Sequence, residues 1–201
     1  MGWSFLVSTP SDGPVSDRRD GTMVRFSPDL IPALWFGCFE SGDELDVLAT
    51  VGEEQKRPYP CEMLWTPRDL AVERLRAFVD GLRTCRRIRT REDVLFDFLA
   101  RVSITDGAGL QMHDAEFQAI AGRNDVAAWR RECLIFAGQV RSGVLTGDEI
   151  LESALAEEVF EAAGISPSRW RSSRSWEWSL AGWRPASEDR STEEVSLTPL
   201  G

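Results

Sequence analysis

Several residue types that build common functional sites are scarce in this sequence. Histidine occurs once, at His113, and lysine occurs once, at Lys56. The four cysteines contain no C-x-x-C pair, and with a single histidine they do not match the ligand spacing of a common zinc site. Neither the P-loop pattern nor the dinucleotide-binding glycine pattern is present. We therefore expect no metal, no cofactor and no catalytic residue that a motif would identify.

Long apolar runs are also missing. No stretch approaches the roughly 20 apolar residues that span a bilayer. Residues 1–8 lack a basic region, and their apolar run is too short for a signal peptide. We expect a cytoplasmic protein with reduced thiols, of which Cys38 and Cys133 lie on apolar helix faces and predict core positions. All but one of the 23 basic residues other than histidine are arginine, which is typical of a GC-rich bacterial genome.

Basic residues are absent from one long stretch near the C-terminus. Between Arg141 and Arg169 there is no lysine, arginine or histidine, but there are six acidic residues: Asp148, Glu149, Glu152, Glu157, Glu158 and Glu161. The whole chain has 33 acidic and 23 basic residues and a formal net charge of −10. An acidic surface repels nucleic acid and anionic membranes and attracts cations. We therefore expect a basic protein as the partner, with no membrane or nucleic-acid contact.

The N-terminal third of the chain predicts a small sheet. Residues 3–9 and 22–26 read as two pairing strands, separated by a loop over 10–21 that is rich in proline, glycine and charge. Apolar residues recur at helical spacing over 31–38, which predicts a short helix capped by Asp29. Residues 44–51 alternate like a third strand. Residues 52–61, which are polar and contain Pro58 and Pro60, predict a loop.

The next hundred residues have mainly helical periodicity. Thr66, Thr90, Asp125 and Thr146 are placed as helix N-caps, and a shorter helix near 113–121 would end at Gly122. A break at 106–109 separates two of these helices. The predicted buried faces consist of these residues: Ala71, Leu75, Phe78 and Leu82; Val94, Leu95, Phe98, Leu99 and Val102; Val126, Trp129, Cys133, Phe136 and Val140; and Leu151, Leu155, Val159 and Ala162.

These patterns predict an α+β fold that is mostly α-helical. A small N-terminal β-sheet would pack on an array of about five amphipathic helices, followed by a Trp-rich, strand-like segment. One globular domain would cover residues 1–184, with the sheet in 1–61, the helical core in 66–164 and the Trp-rich segment in 165–184. Residues 185–201 are polar and predict a flexible tail.

The single histidine is one candidate for chemistry. His113 precedes Asp114 and lies near Glu116, and a histidine beside carboxylates could act as a general base. No serine or cysteine nucleophile lies nearby in the sequence. The simpler interpretation places His113 in the first turn of a helix, without a catalytic role.

An arginine-rich segment is a second candidate. Five arginines lie within nine residues: Arg83, Arg86, Arg87, Arg89 and Arg91. They could bind an anion. They could equally compensate a helix dipole and pair with acidic side chains of neighbouring helices, and this second interpretation fits the net charge better.

Two further segments could bind a partner protein. The acidic helix predicted over 147–163 is either a solvated face or a docking surface whose carboxylates speed association with a basic protein. Trp176 and Trp178 lie in a strand-like run over 176–180 that Trp183 follows, and these tryptophans either cover the core or form an aromatic interaction patch.

The function that we expect is non-enzymatic protein binding. Bacterial immunity proteins and antitoxin-type inhibitors are typically small and acidic and have no catalytic motif. They neutralise a basic toxin or effector by covering it. We expect the six carboxylates between 148 and 161 to steer association and the tryptophans to hold the complex. Two alternatives remain: an enzyme with a dispersed site around His113, and a subunit or scaffold of a larger assembly that uses the Trp-rich segment.

Overall fold

A computed structural model describes residues 2–28, 31–51, 57–153 and 181–182. Its strands are β1 Trp3–Thr9, β2 Thr22–Pro28, β3 Glu44–Val51, β4 Arg57–Pro67 and β5 Gly109–His113. Its α-helices are α1 Arg68–Leu82, α2 Arg86–Arg89, α3 Glu92–Ser103, α4 Ala115–Ala121, α5 Arg123–Arg141 and α6 Glu149–Glu152. Arg18–Asp20 and Ala33–Cys38 form short 3-10 helices.

The centre of the fold is one antiparallel sheet of five strands in the order β2-β1-β5-β4-β3. The prediction of a mostly helical protein with a small N-terminal sheet is therefore wrong. The sheet takes β5 from the middle of the chain and places it between β1 and β4. The strands at 3–9, near 22–26 and at 44–51 are confirmed, as is the pairing of the first two.

The central strand β5 was missed because its sequence resembles a loop followed by a helix. Gly107 and Gly109 indicate a break in the chain, and the residues after them predict a helix that begins near His113. All five residues of β5 are buried. Leu110 and Met112 join the main core, while Gln111, between them, points to the opposite face. Because both faces of the strand are covered, its apolar and polar alternation does not mark a solvent side.

Two prolines concealed the first half of β4. Pro58 pairs with Thr50 and Pro60 pairs with Leu48 in the register with β3. The Thr50 N–H donates to the Ser16 carbonyl (3.1 Å) and not to β4, so the Thr50–Pro58 pair is one that exchanges no ladder bonds. The Leu48–Pro60 pair lies two residues further along the strand and likewise exchanges no backbone hydrogen bonds. Both prolines thus occupy positions where a strand needs no N–H donor, and the predicted loop is wrong over 57–61.

Three helices cover one face of the sheet. The central helix α1 packs against α3, α5 and the 3-10 helix Ala33–Cys38. In α1, α3 and α5, every residue of the predicted apolar faces is buried except Leu99 and Trp129, which are half-buried. Segment 10–21 crosses the other face, where Val15 is buried. No helix in the described ranges has both the length and the apolar character needed to cross a membrane.

Several predicted helix ends are displaced by one to three residues. Thr66 belongs to β4, and α1 begins at Arg68. Arg91, Gly122 and Asp148 hold the N-cap positions of α3, α5 and α6 in place of Thr90, Asp125 and Thr146. The helix predicted near 113–121 begins at Ala115 and does end before Gly122. The segment over 33–38 is a 3-10 helix, and its predicted cap, Asp29, lies outside the described residues.

Much of the C-terminal prediction also lies outside the described residues. This applies to the second half of the acidic helix, to the run containing Trp176 and Trp178, and to Trp183 and the tail. Two residues of this region are described, Ala181 and Gly182, and both are buried. The Trp35 indole Nε1 donates to the Ala181 carbonyl at 2.9 Å. The extent of the domain, residues 1–184, stays a prediction.

Two helical glycines should respond oppositely to alanine. A Cβ at Gly81 of α1 would lie 2.6 Å from the Val140 carbonyl oxygen on α5, whereas at Gly138 the nearest atom would be 4.0 Å away. We expect Gly138→Ala to raise the free energy of unfolding by about 0.5–1 kcal/mol through helix propensity. We expect Gly81→Ala to lower it by about 1–3 kcal/mol, because two helices must separate. Urea unfolding measures both, and equal effects would contradict this packing.

Candidate functional site

The only histidine lies at the end of the central strand. His113 is 3% exposed and meets the Phe5 ring edge-on at a centroid distance of 6.4 Å. The backbone of Ser16, in the segment that crosses this face of the sheet, lies close enough to favour the charged imidazole. Its Nε2 atom is buried and has no hydrogen-bond partner within the described part of the chain. The prediction that His113 occupies the first turn of a helix is wrong.

The two carboxylates near His113 in sequence have other partners. Asp114 accepts hydrogen bonds from Arg130 and from the Gln118 amide. Glu116 forms an ion pair with Arg18 at 3.1 Å and accepts a hydrogen bond from the Trp3 N–H. Neither carboxylate forms a described hydrogen bond with the imidazole. A general base must lie within hydrogen-bond reach of the proton that it abstracts, and His113, at 3% exposure, offers little surface to a substrate.

His113 should make stability depend on pH. Burial lowers its pKa below the ordinary value of 6.5, and nearby Arg18 adds to this, while Asp114, the Ser16 backbone and Asp17 oppose it. Below pH 6.5 the unfolded chain therefore binds a proton that the folded chain resists. We expect the free energy of unfolding to fall by up to about 1.4 kcal/mol per pH unit between pH 6.5 and the lowered pKa.

The comparison that checks this expectation is between wild type and His113→Gln. Urea unfolding at pH 7 and at pH 5 gives the loss of stability for each protein. The loss should be larger for wild type, because the glutamine does not titrate. An identical loss in the two proteins would show that the imidazole does not resist protonation in the fold.

A buried ion-pair network joins β4, α4 and α5. Arg130 is 1% exposed, and its Nη1 donates to both Asp114 oxygens (3.3 and 3.2 Å) and to the Glu62 carbonyl (2.7 Å). Its Nη2 donates to the Glu62 carboxylate. The Gln118 amide bonds to the N–H and C=O of Glu62, which continues the sheet's hydrogen bonding beyond the end of β5. This network holds α4 against the sheet, and within it Asp114 is fully buried while the Glu62 carboxylate is 27% exposed.

The cysteines are also unsuited to nucleophilic chemistry. All four are buried and none forms a disulfide, and the core positions predicted for Cys38 and Cys133 are confirmed. Burial raises the pKa of Cys61 to about 11 and also raises the pKa of Cys38 and Cys85. Since the thiolate is the nucleophile, these three thiols are unreactive at neutral pH. No cluster of three or more potential metal ligands occurs among the described residues.

The arginine-rich segment and the beginning of the acidic segment are spatial neighbours. The Gly147 N–H donates to the Thr84 hydroxyl at 2.8 Å, and the Cys85 thiol lies 3.7 Å from the Asp148 carboxylate. Asp148, Glu149 and Glu152 are exposed, whereas Glu157, Glu158 and Glu161 lie outside the described residues. The two charged segments, which are far apart in sequence, thus share one side of the molecule.

The arginines of this segment divide into two groups. Arg83 pairs with Asp80 and Glu92, and Arg91 pairs with Asp93. Of these pairs, Arg83–Glu92 joins two neighbouring helices, as the sequence interpretation expects, whereas the other two are local. Arg86, Arg87 and Arg89 are exposed, and whether they bind an anion stays open.

A second acidic surface follows the edge strand β3. Glu40, Asp43, Glu44 and Asp46 lie in or just before this strand, and Glu62 lies opposite Asp46 on β4. Arg74, buried behind them, pairs with Glu40 and, at 2.7 Å, with Asp43. Burial raises the pKa of Asp43, against the opposing effects of the Glu40 N–H bond and the Arg74 charge. Asp46, which pairs with Arg123, is 80% exposed.

Sequence reasoning missed this surface although a signal was present. Between Arg25 and Lys56 there is no basic residue, and seven residues are acidic. This stretch has the same charge asymmetry as the one between Arg141 and Arg169. Its acidic residues are spread through a sequence whose pattern predicts a short helix, a strand and a loop, and this spacing conceals the charge asymmetry.

No protein-family model matches the chain, and comparisons with curated proteins and with solved structures give no match either.

Proposed function

We propose that this chain is a non-enzymatic module that binds a basic protein. In its most concrete form it is an immunity- or antitoxin-type inhibitor in the cytoplasm of a bacterium. One observation carries the proposal: among the described residues, burial removes more positive than negative charge from the surface. Arg25, Arg74 and Arg130 are buried, whereas Asp114 is the single buried carboxylate among the described residues.

The mechanism would be electrostatic capture followed by steric coverage of the partner. Exposed carboxylates raise the rate at which a basic protein is encountered, and they exclude acidic competitors. The β3 surface and the exposed residues Asp148, Glu149 and Glu152 supply such carboxylates. An inhibitor of this kind needs no catalytic group, because occupying the partner's functional surface is sufficient.

The two alternatives have less support. An enzyme centred on His113 would need Asp114 or Glu116 to leave the ion pairs that they form with Arg130 and Arg18. A scaffold that uses Trp176, Trp178 and Trp183 rests on residues outside the described part of the chain. It therefore stays a prediction from sequence.

Affinity purification from the native host tests the proposal. The tagged full-length chain is captured at low salt and washed at low and then at high salt, and the retained proteins are identified by mass spectrometry. We expect one stoichiometric basic protein that high salt loosens, because screening weakens attraction between exposed charges. An acidic partner, or a partner whose retention does not depend on salt, would contradict capture by charge.

A further inference from the structure

Within the described residues, the outer edge of β3 from Glu44 to Leu48 pairs with no other strand. In an antiparallel pair, the N–H and C=O of alternate residues point away from the neighbouring strand. The Thr50 N–H donates to Ser16 and not to β4, so the backbone groups of Leu48, Asp46 and Glu44 point to the same outer side. The Glu62 N–H, opposite Asp46, correspondingly points away from β3 to Gln118. No hydrogen bond from Leu48 or Asp46 backbone groups to another segment is seen in the described structure.

Apart from the carboxylates of Glu44 and Asp46 and the Ser16 bond at Thr50, the described edge lacks the features that usually protect an edge strand. Proteins commonly protect such edges with proline, lysine, a bulge or a covering segment. β3 is 8 residues long and contains no proline, lysine or arginine, and its register with β4 continues without a shift. Leu48, in its middle, is 61% exposed. At the opposite edge β2 ends in Pro28, and Gly182 approaches the Phe26 carbonyl so closely that a Cβ would lie 3.1 Å from it.

The side chains of β3 define what could pair with it. Glu44, Asp46 and Leu48 project on one face, and Leu45 and Val47 project on the other. A strand added alongside would therefore meet an exposed leucine and two carboxylates on one face, one of them the 80% exposed Asp46 that also pairs with Arg123, and aliphatic side chains on the other. Cross-strand pairs of opposite charge stabilise a sheet, and like charges destabilise it. The matching segment is extended, with basic and apolar residues alternating.

We propose that β3 is a strand-addition site for an extended, basic segment of the partner protein. The choice of a basic segment rests on the proposed function, while the pairing mode rests on the free edge. Main-chain hydrogen bonds would supply affinity, and the carboxylates of Glu44 and Asp46 would select for lysine and arginine. The added strand would end before Thr50, because the Thr50 N–H is already bonded to Ser16.

The test uses a library of random 12-residue segments displayed on mRNA and selected against the full-length protein. Two variants block the edge. Leu48→Pro removes an N–H that β4 does not use, so the β3–β4 hydrogen bonds remain. Leu48→Lys keeps the backbone N–H at residue 48 and adds an edge-protecting charge. It still tests the edge if the proline variant fails to fold. Leu48→Val is the matched control.

We expect enriched segments with lysine or arginine at alternating positions. Their affinity should fall at least tenfold for Leu48→Pro and Leu48→Lys but not for Leu48→Val. N-methylation of the segment at one set of alternate residues should abolish binding, while methylation of the other set should not.

Three results would overturn the inference, and they separate it from the proposed function. Basic segments that bind both blocking variants as tightly as wild type would exclude strand addition and leave charge capture standing. Edge-dependent segments without basic residues would exclude the basic occupant and, with it, the proposed function. Failure of any segment to be enriched, or self-association of the chain that Leu48→Pro abolishes, would show that β3 does not accept a partner segment of this kind.

Discussion

Replacing Arg130 by methionine will lower the free energy of unfolding by about 3–5 kcal/mol. Arg130 belongs to α5, and its side chain reaches β4. It donates hydrogen bonds to Asp114 and to both the carboxylate and the carbonyl of Glu62. Asp114 is fully buried. The variant leaves that carboxylate without its cation in a region that water does not reach, and the cost of an uncompensated buried charge exceeds the gain from an added apolar side chain.

The control for this prediction is the next residue of the same helix. Arg131 is exposed and forms no ion pair among the described residues, so Arg131→Met should change stability by less than about 0.5 kcal/mol. Urea unfolding of the two variants measures the difference. The double variant Arg130→Met with Asp114→Asn should recover part of the loss, because the unpaired charge is gone. Equal stability of the two single variants would mean that the network does not hold α4 and α5 on the sheet.

Replacing Trp35 by alanine should have an effect of similar size, about 3–5 kcal/mol. Trp35 is fully buried in the 3-10 helix Ala33–Cys38. Its indole fills the space beside Ala181 and Gly182, where a Cβ on Gly182 would lie only 2.9 Å from the ring. The alanine variant leaves a large cavity and removes the hydrogen bond to Ala181. The shift of the urea unfolding midpoint measures this loss of stability.

Phenylalanine variants separate the contribution of the indole hydrogen bond from that of the filled space. Trp35→Phe removes the indole N–H from a bond to a buried carbonyl and should cost about 1–3 kcal/mol. Trp129 is half-buried, and its Nε1 is buried without a hydrogen-bond partner within the described structure. Trp129→Phe should therefore cost less than Trp35→Phe. The reverse order would contradict the role of Trp35 in holding residues 181–182.

Local patterns predicted the elements whose own residues mark them. β1 is a short run rich in apolar residues that ends at a loop with proline and glycine, β3 alternates, and α1, α3 and α5 carry apolar faces, so these segments could be placed from sequence. The first half of β4 could not be, because whether Pro58 and Pro60 are tolerated depends on which side of the strand carries the ladder bonds. β5 could not be placed either, since a short central strand with Gln111 buried on its second face has no solvent side to reveal its period.

The candidate site was predictable only in part. The excess of carboxylates and the exposure of Glu149 could be expected from composition. The burial of Arg74 and Arg130 could not, because arginine is usually exposed and its ion-pair partners come from distant segments. The free edge of β3 was equally out of reach, since strand order in a sheet is a property of tertiary pairing. The long base-free stretch before Lys56 was the one available sign of an acidic surface there.

The measurement that tests the central claim most directly is the association rate of the captured partner as a function of ionic strength. For wild type we predict a rate that falls steeply as salt rises. At low salt the double variant Glu44→Gln with Asp46→Asn should associate several-fold more slowly, while Glu73→Gln with Asp106→Asn, which removes the same charge from exposed residues elsewhere, should remain close to wild type. A rate that is independent of salt, and unchanged by the first double variant, would contradict capture of a basic partner through the acidic β3 surface.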